Sequence, residues 1–522
     1  MNTSEEMPIT QTGQDPASLQ TGDAASPNPR VARSEQFAEA IILAILIAVP
    51  ALFCLRMAIV GDADIWWHLR TGQWILQHHG VPHTDPFTRF GAGKPWAAYS
   101  WLYELLVFKC FQRLGLVGIV AYSTGMVLAI AAAIYHLLRR LQPDFSIGAL
   151  LTLVATLSLT HLYTPRSWLF TILFFVLELD ILMHARKTGP ETGMPRELLW
   201  LPPLFALWAN VHIQFFDGLL VMGLALGEAI LARWFTSART RLAPAWIGGV
   251  FLACILATLA NPYGWKIYEI GFRAATQPGI LSLITEFHAL EFRALADYCM
   301  LFLALAAAGA LAWRRRFPLF ETALLIFAAV VSFRSGRDMW VMVIAAAAIL
   351  AQRIGGHEKV RRPLAAFAAP LVAVVIGLLL FLGTIVLHTD NPHLRAILAQ
   401  TMPVRAVEVA KDEGFNGPLY NNLDWGGYLI WQLRMPVSID GRNDLIGDQR
   451  IERSFATWDG GPGWASDPDL TSAKLVIGPA SAPLTQLLQL DPHFVLVFED
   501  KVAAVFIARN PPEKPEPPIT PQ

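Results

Sequence analysis

Charge is the property this chain has least of. Only 16% of its 522 residues are Asp, Glu, Lys or Arg, and the formal net charge is −1. A soluble domain usually carries about a quarter charged residues. No basic excess marks a nucleic-acid-binding surface, so no nucleic-acid partner is expected. Cysteine is scarce too, with 4 in the chain. Cys54, Cys110, Cys254 and Cys299 lie in or beside apolar runs with no paired spacing. This excludes a disulfide framework or a thiolate metal site and leaves them as small apolar packing residues. The first 34 residues are not expected to be a signal peptide either. Residues 1–34 are rich in Thr, Ser, Gln, Pro and Gly, the polar stretch is too long, and no cleavage site follows the first apolar run. Such a segment is expected to be disordered.

What the chain does have is apolar surface. Hydrophobic residues make up 54%, with 17 Trp and 30 Phe, and the mean hydropathy is +0.44. These values describe a polytopic membrane protein. Runs long enough to cross a bilayer, or nearly so, fall at about 37–60, 116–138, 146–163, 167–184, 198–213, 216–232, 244–260, 296–312, 318–333, 338–352 and 364–388. The expected fold is therefore an all-α bundle of about eleven transmembrane helices over residues 35–390, with a small C-terminal α/β domain over 391–510 and a loose Pro-rich end over 511–522. Segment 98–113 is too short and polar to span, and reads as an interfacial amphipathic helix. Basic clusters before the first span, and at Arg139–Arg140, Arg186–Lys187, Arg233 to Arg241, Arg314–Arg316 and Arg353 to Arg362, fall in alternate loops. The positive-inside rule then puts the N-terminus in the cytoplasm and the C-terminal domain outside.

Unusual polar residues collect on the outer face. The first outer loop, 61–97, opens with Gly61-Asp62-Ala63-Asp64-Ile65-Trp66-Trp67-His68-Leu69-Arg70-Thr71-Gly72. Acidic residues at the mouth of a membrane helix are expensive and usually mark a working site. Asp62 and Asp64 can serve as general base or hold a divalent cation such as Mg²⁺ or Mn²⁺, or they simply solvate a helix end. Glu286, in a later outer loop, is a candidate third metal ligand. His83 and Asp85 sit in a Pro-fixed turn and can line the same cavity. Arg166, Arg334 and Arg337 carry guanidinium groups suited to phosphate, although arginines near lipid also snorkel to headgroups. His212 closes the polar helix end Asn210 to Gln214. In the tail, runs 427–431, 436–440, 474–478, 494–499 and 502–508 read as strands, while 408–413 and 483–490 read as helical turns.

The acidic pair, the Trp-rich stretch with Arg70-Thr71, the His79-Gly80-Val81-Pro82 turn and Pro95-Trp96 together resemble the first external loop of GT-C membrane glycosyltransferases. The likeness is strongest to the catalytic subunit of oligosaccharyltransferase, where Asp-Pro-Trp-Phe-Asn-Tyr-Arg-Thr stands at this place. Asp62, Asp64, Trp66, Trp67, Arg70 and Thr71 match in kind and order. Leu423-Asp424-Trp425-Gly426-Gly427-Tyr428 resembles the Trp-Trp-Asp-x-Gly motif of that subunit's soluble domain, with Asn422 and Leu423 where the two tryptophans would be. The resemblance implies a bacterial inner-membrane enzyme, multi-pass, that moves a hexosyl or pentosyl unit from a polyprenyl-phosphate-linked donor to a glycan, lipid or protein acceptor on the outer face. It implies substrate contacts from the matching motif residues Trp66, Trp67, His68, Arg70, Asp424 and Trp425, while His83, Asp85, Arg166, His212, Arg334 and Arg337 are candidate contacts from their place on the outer face alone. Two other classes remain open. One is a binding scaffold of the same fold without chemistry. The other is a transporter, which would need an internal repeat and polar groups at the midplane.

Overall fold

The computed structural model describes residues 29–57, 62–188, 193–235, 242–276, 287–313, 318–354 and 367–509. The N-terminal stretch to residue 28, the end from residue 510, Glu286, Arg239, Arg241, Arg314–Arg316, Lys359, Arg361 and Arg362 lie outside the described residues.

Each expected span coincides with a helix. In chain order these are α1 (Pro29–Met57), then, after two helices taken up below, α4 (Leu116–Leu141), α5 (Phe145–Ser158), α6 (Trp168–Thr188), α7 (Leu201–Val211), α8 (Phe215–Phe235) and α9 (Pro244–Thr258). After a third such helix come α11 (Leu295–Ala312), α12 (Leu319–Arg334), α13 (Met339–Arg353) and α14 (Ala368–Val386). Among the described residues six helices are long and apolar enough to cross a bilayer: α1, α4, α6, α8, α11 and α14. The chain is a multi-pass membrane protein. α13 is the best-covered helix, with its residues from Met339 to Ala351 all buried, whereas α14 leans on α1 and keeps its outer side bare. A helix apolar all round is stable only when lipid or protein surrounds it.

Three short amphipathic helices lie outside this bundle: α2 (Ile65–His78), α3 (Trp101–Leu114) and α10 (Lys266–Thr276). α3 covers the segment read as an amphipathic helix too short and polar to span. α2 replaces what reads as loop, because the aspartates that suggest a solvated turn instead start a helix: Asp62 Oδ1 accepts the Asp64 N–H at 2.8 Å. α2 and α3 cross closely at Gly72, where a Cβ would overlap the Glu104 carbonyl.

The tail begins with α15 (Asn391–Leu398), whose N-cap Asp390 accepts the His393 N–H, and α16 (Val404–Asp412). A four-stranded sheet follows, in the order β1 (Leu419–Asn421), β2 (Leu475–Pro479), β4 (Ala503–Ala508), β3 (Phe494–Glu499). β1 runs parallel to β2, and the remaining pairs are antiparallel. Side chains alternate across a strand, and the two faces have different partners. Leu419, Leu475, Ile477, Ala503 and Val505 join the core that continues into the membrane helices. Tyr420, Val476, Ala504 and Phe506 pack against Trp458, Leu484 and Leu488.

Two expected strands are corrected. Residues 427–431 belong to α17 (Leu423–Leu433), capped by Asn422, whose side chain accepts the Asp424 N–H. Its two glycines read as turn residues, but they serve close approach. A Cβ on Gly426 would overlap the Ile439 carbonyl, and Gly427 lies against Ala63 and Trp67. Residues 436–440 form no strand beyond an isolated bridge between Val437 and Thr88. Two longer helices, α18 (Asp448–Trp458) and α19 (Pro483–Leu490), and the single turns Asn443–Ile446 and Pro468–Thr471 make up the rest of the tail's described α-helices.

Candidate active site at the bundle end

The site is built where α2, the turn before α6 and the tail meet. Tyr163 to Ser167 connects α5 to α6, and two tyrosines hold it. Tyr103 donates its hydroxyl to the Pro165 carbonyl, and Tyr122 donates to the Arg166 carbonyl at 3.0 Å. The turn is thereby fixed with Arg166 aimed at the acidic pair. Arg166 Nε lies 2.5 Å from Asp62 Oδ2, and its Nη1 lies 2.5 Å from Asp64 Oδ2. Asp62 is buried at 2% exposure, while Asp64 is partly open. A guanidinium forked across two carboxylates is a strong, orientation-fixing contact.

A cavity of about 980 Å³ opens beside this clamp. Asp64, Trp67, His68 and Arg166 line one side of it. Arg334, Ser335, Arg337 and Asp338, from the end of α12 and the turn before α13, line another. The Trp168 ring separates two of the cations, with the Arg166 guanidinium 5.1 Å and the Arg337 guanidinium 5.0 Å from its centre. Gln214 donates to Asp338 at 2.7 Å. The flank between α8, α10 and α12 is apolar, with Phe216, Leu220, Phe272 and Val330 facing the cavity. The tail supplies the remaining wall through Asp424, Gly441 and Arg442. Gly441 sits so close to Asp64 that a Cβ there would overlap the carboxylate.

Arg442 fixes this wall. It lies 2.7 Å from Asp85 and 2.6 Å from Asp440, with all three side chains at 1% exposure or less. Its guanidinium also stands 4.6 Å from the Trp96 ring and 5.2 Å from the Phe87 ring. Burial alone would lower its affinity for the proton, but the carboxylates of Asp440 and Asp85 more than offset that and hold the group charged. Arg89 N–H donates to the Val437 carbonyl at 2.9 Å, and its side chain reaches Ser472. The first loop and the tail are thus bound as one wall.

The structure gathers Asp64, Trp67, His68 and Arg166 with His212, Arg334, Arg337 and Asp424 around one cavity. Asp62 stands behind Asp64. Five expected contact residues do not line the cavity. Trp66 is buried edge-on against Tyr428, Arg70 turns to Gln73 and Phe87, and His83 is exposed beside Tyr263. Asp85 is consumed by Arg442 and by capping the turn after it. Trp425 points into the tail and donates to the Thr401 carbonyl at 3.1 Å. The helix end at Asn210 is satisfied by neighbours: Trp101 donates to it, and it donates to the Ala206 and Ala260 carbonyls. Sequence reading missed Glu104, Trp168 and Asp217 as lining residues. An acid on the buried side of the amphipathic α3 was the signal available for Glu104.

A divalent cation fits this donor set poorly. Both carboxylates of the pair are already engaged by Arg166. Among the described residues no group of three or more His, Cys, Asp or Glu side chains is placed to hold a metal.

No protein-family model matches the chain, and no curated protein matches it in sequence. Solved structures do match. The Archaeoglobus fulgidus oligosaccharyltransferase, tethered to an acceptor peptide containing the NVT sequon, aligns with a TM-score of 0.50 at 12% identity, over 87% of this chain and 70% of that one. The same enzyme in complex with Zn and sulfate gives 0.46 at 13% identity over 83% and 68%. ArnT from Cupriavidus metallidurans bound to undecaprenyl phosphate gives 0.46 at 15% identity over 92% and 98%. The first of these likenesses shows a shared fold.

Proposed function

We propose that this protein is a membrane glycosyltransferase that moves a sugar from a polyprenyl-phosphate-linked donor to an acceptor on the outer face of a bacterial inner membrane. The observation that carries this reading is the composition of the cavity. A carboxylate clamped by Arg166 faces two further arginines across a space with one apolar flank. That combination suits a ligand with a hydrocarbon chain, an anionic headgroup and a polar sugar.

In this reading the lipid chain lies along Phe216, Leu220 and Val330, and its phosphate meets Arg334 and Arg337. Asp64, the member of the pair that reaches the cavity, takes the proton of the acceptor hydroxyl. The acceptor oxygen bonds to the anomeric carbon, and the bond from that carbon to the phosphate oxygen breaks with its electron pair on the phosphate. The charge that grows there is stabilised by preorganised guanidinium groups. Asp62 holds Arg166, which in turn fixes Asp64. No step is routed through a metal.

Arg337→Ala and Arg334→Ala test the donor side. Each removes one charge-assisted contact to phosphate, worth about 1.5–3 kcal/mol. Binding of a polyprenyl-phosphate sugar in nanodiscs is expected to weaken by about 10- to 100-fold for each. Binding that neither substitution changes would remove the phosphate assignment.

A further inference from the structure

The cavity wall holds a second titratable pair that the steps above do not use. His68 on α2 and Glu104 on α3 both line the cavity. His68 Nδ1 lies 3.1 Å from Glu104 Oε1, with side chains 5% and 1% exposed. The ring is held on three sides: it lies over Trp67 at 3.5 Å, meets Tyr103 edge-on at 5.0 Å, and is bound by Glu104. Gly72, one turn after His68, allows the approach of α2 to α3 that brings the pair together. Nδ1 being taken, Nε2 is the ring nitrogen left for the cavity. Glu104 Oε2 is buried with no hydrogen-bond partner.

A bare oxygen on an ionised buried carboxylate is costly, whereas a neutral carboxyl group tolerates it far better. Burial pushes Glu104 well above the usual carboxyl range, opposed only by the Arg442 charge. Burial likewise pushes His68 well below the usual histidine value, and Arg166, His212 and Arg442 push it further in the same direction. Tyr103, edge-on to the His68 ring, and Tyr263 also face the pair, as does Asp64 across the cavity, and burial raises both tyrosines away from ionisation. Both shifts favour the uncharged form of the pair. In that form the Glu104 carboxyl would donate to Nδ1 and Nε2 would carry the ring N–H.

We propose that His68 and Glu104 form the acid half of the transfer reaction, with His68 Nε2 protonating the phosphate oxygen that leaves the sugar. This rests on the glycosyltransferase reading above. As the bond between sugar and phosphate oxygen breaks, that oxygen takes the Nε2 proton, and Nδ1 takes the proton of Glu104. Glu104 is left as a carboxylate. It regains a proton when Asp64 releases the one taken from the acceptor, so the cycle closes without another reagent. A base and an acid on separate groups of one cavity, held apart in proton affinity by their surroundings, is a general solution for transfer at neutral pH.

The sign of the pH dependence follows. The protonated pair is the active form, so the rate falls as pH rises through its titration. The test is the pH–rate profile of donor turnover for wild type, His68→Asn and Glu104→Gln, with donor binding measured alongside. His68→Asn is expected to lower turnover by about 10²- to 10⁴-fold and to abolish the alkaline limb, with donor binding kept. Glu104→Gln can still orient the ring but cannot pass a proton, so its alkaline limb should move to lower pH. Slower variants with the wild-type profile would make the pair structural and overturn the proposal. ¹⁵N NMR of the His68 ring in the resting protein is an independent arm. A neutral ring with the proton on Nε2 supports the proposal, and an imidazolium at neutral pH overturns it. A wild type that turns over no donor would instead overturn the functional reading on which this one stands.

Discussion

Arg166→Ala is expected to abolish turnover and to destabilise the protein. The substitution leaves Asp62 buried without its countercharge and frees Asp64 from its clamp. Breaking a buried ion pair from one side typically costs about 3–5 kcal/mol. Losing the clamp that fixes Asp64 is a separate effect on the barrier, expected to lower the rate by about 10²- to 10³-fold or more. Arg166→Lys keeps the charge but cannot fork across two carboxylates, so it should recover stability better than turnover. Asp62→Asn added to Arg166→Ala removes the uncompensated charge and should restore part of the thermal stability, with a coupling that a double-mutant cycle measures. Equal melting temperatures for wild type and Arg166→Ala would contradict the arrangement described.

Arg442→Met should release the tail from the first loop. Asp85 and Asp440 are both fully buried against Arg442, and removing the cation leaves two like charges in an apolar pocket with Trp96 and Phe87. A destabilisation of about 3–5 kcal/mol is expected, felt first as opening of the tail. Limited proteolysis or hydrogen exchange should find Val437 to Asn443 exposed in the variant and protected in the wild type. The triple substitution Asp85→Asn, Asp440→Asn, Arg442→Met removes all three charges and should be more stable than Arg442→Met alone. Tail protection unchanged in Arg442→Met would show that the sheet packing of Leu475, Ile477 and Val505 holds the domain by itself.

The helical plan was legible because apolar runs bounded by basic residues carry a strong signal. Every expected span falls on a helix, and a short amphipathic helix stands at Trp101–Leu114, where the Trp, Tyr, Lys and Arg of the segment argue against a span. The strands β2, β3 and β4 were legible from their alternating apolar runs. The failures share a physical cause. Gly426-Gly427 carries a turn signal, but in α17 the missing side chains let two backbones meet. Asp85 and Trp425 looked like cavity residues because a charge and an aromatic ring in a polar loop do not reveal what they are buried against. Arg442 is more than 350 residues from Asp85 in the chain, so no local pattern could pair them. The structure sets Asp64 on the cavity, and the acidic pair was readable as unusual at a helix mouth. That its partner would be Arg166, set in a turn between two distant helices, was not.

The central claim is that the cavity transfers sugar from a lipid-linked phosphate, with Asp64 as the group that reaches the acceptor. The most direct measurement is release of free polyprenyl phosphate by the purified protein in nanodiscs, across a panel of polyprenyl-phosphate sugars and acceptors. Wild type and Asp64→Asn are compared, each with and without a chelator of divalent metals. The account predicts turnover by the wild type that the chelator leaves intact, because Arg166 holds the acidic pair, and that Asn at position 64 abolishes. Donor turnover unaffected by Asp64→Asn, or no turnover of any donor in the panel, would contradict it.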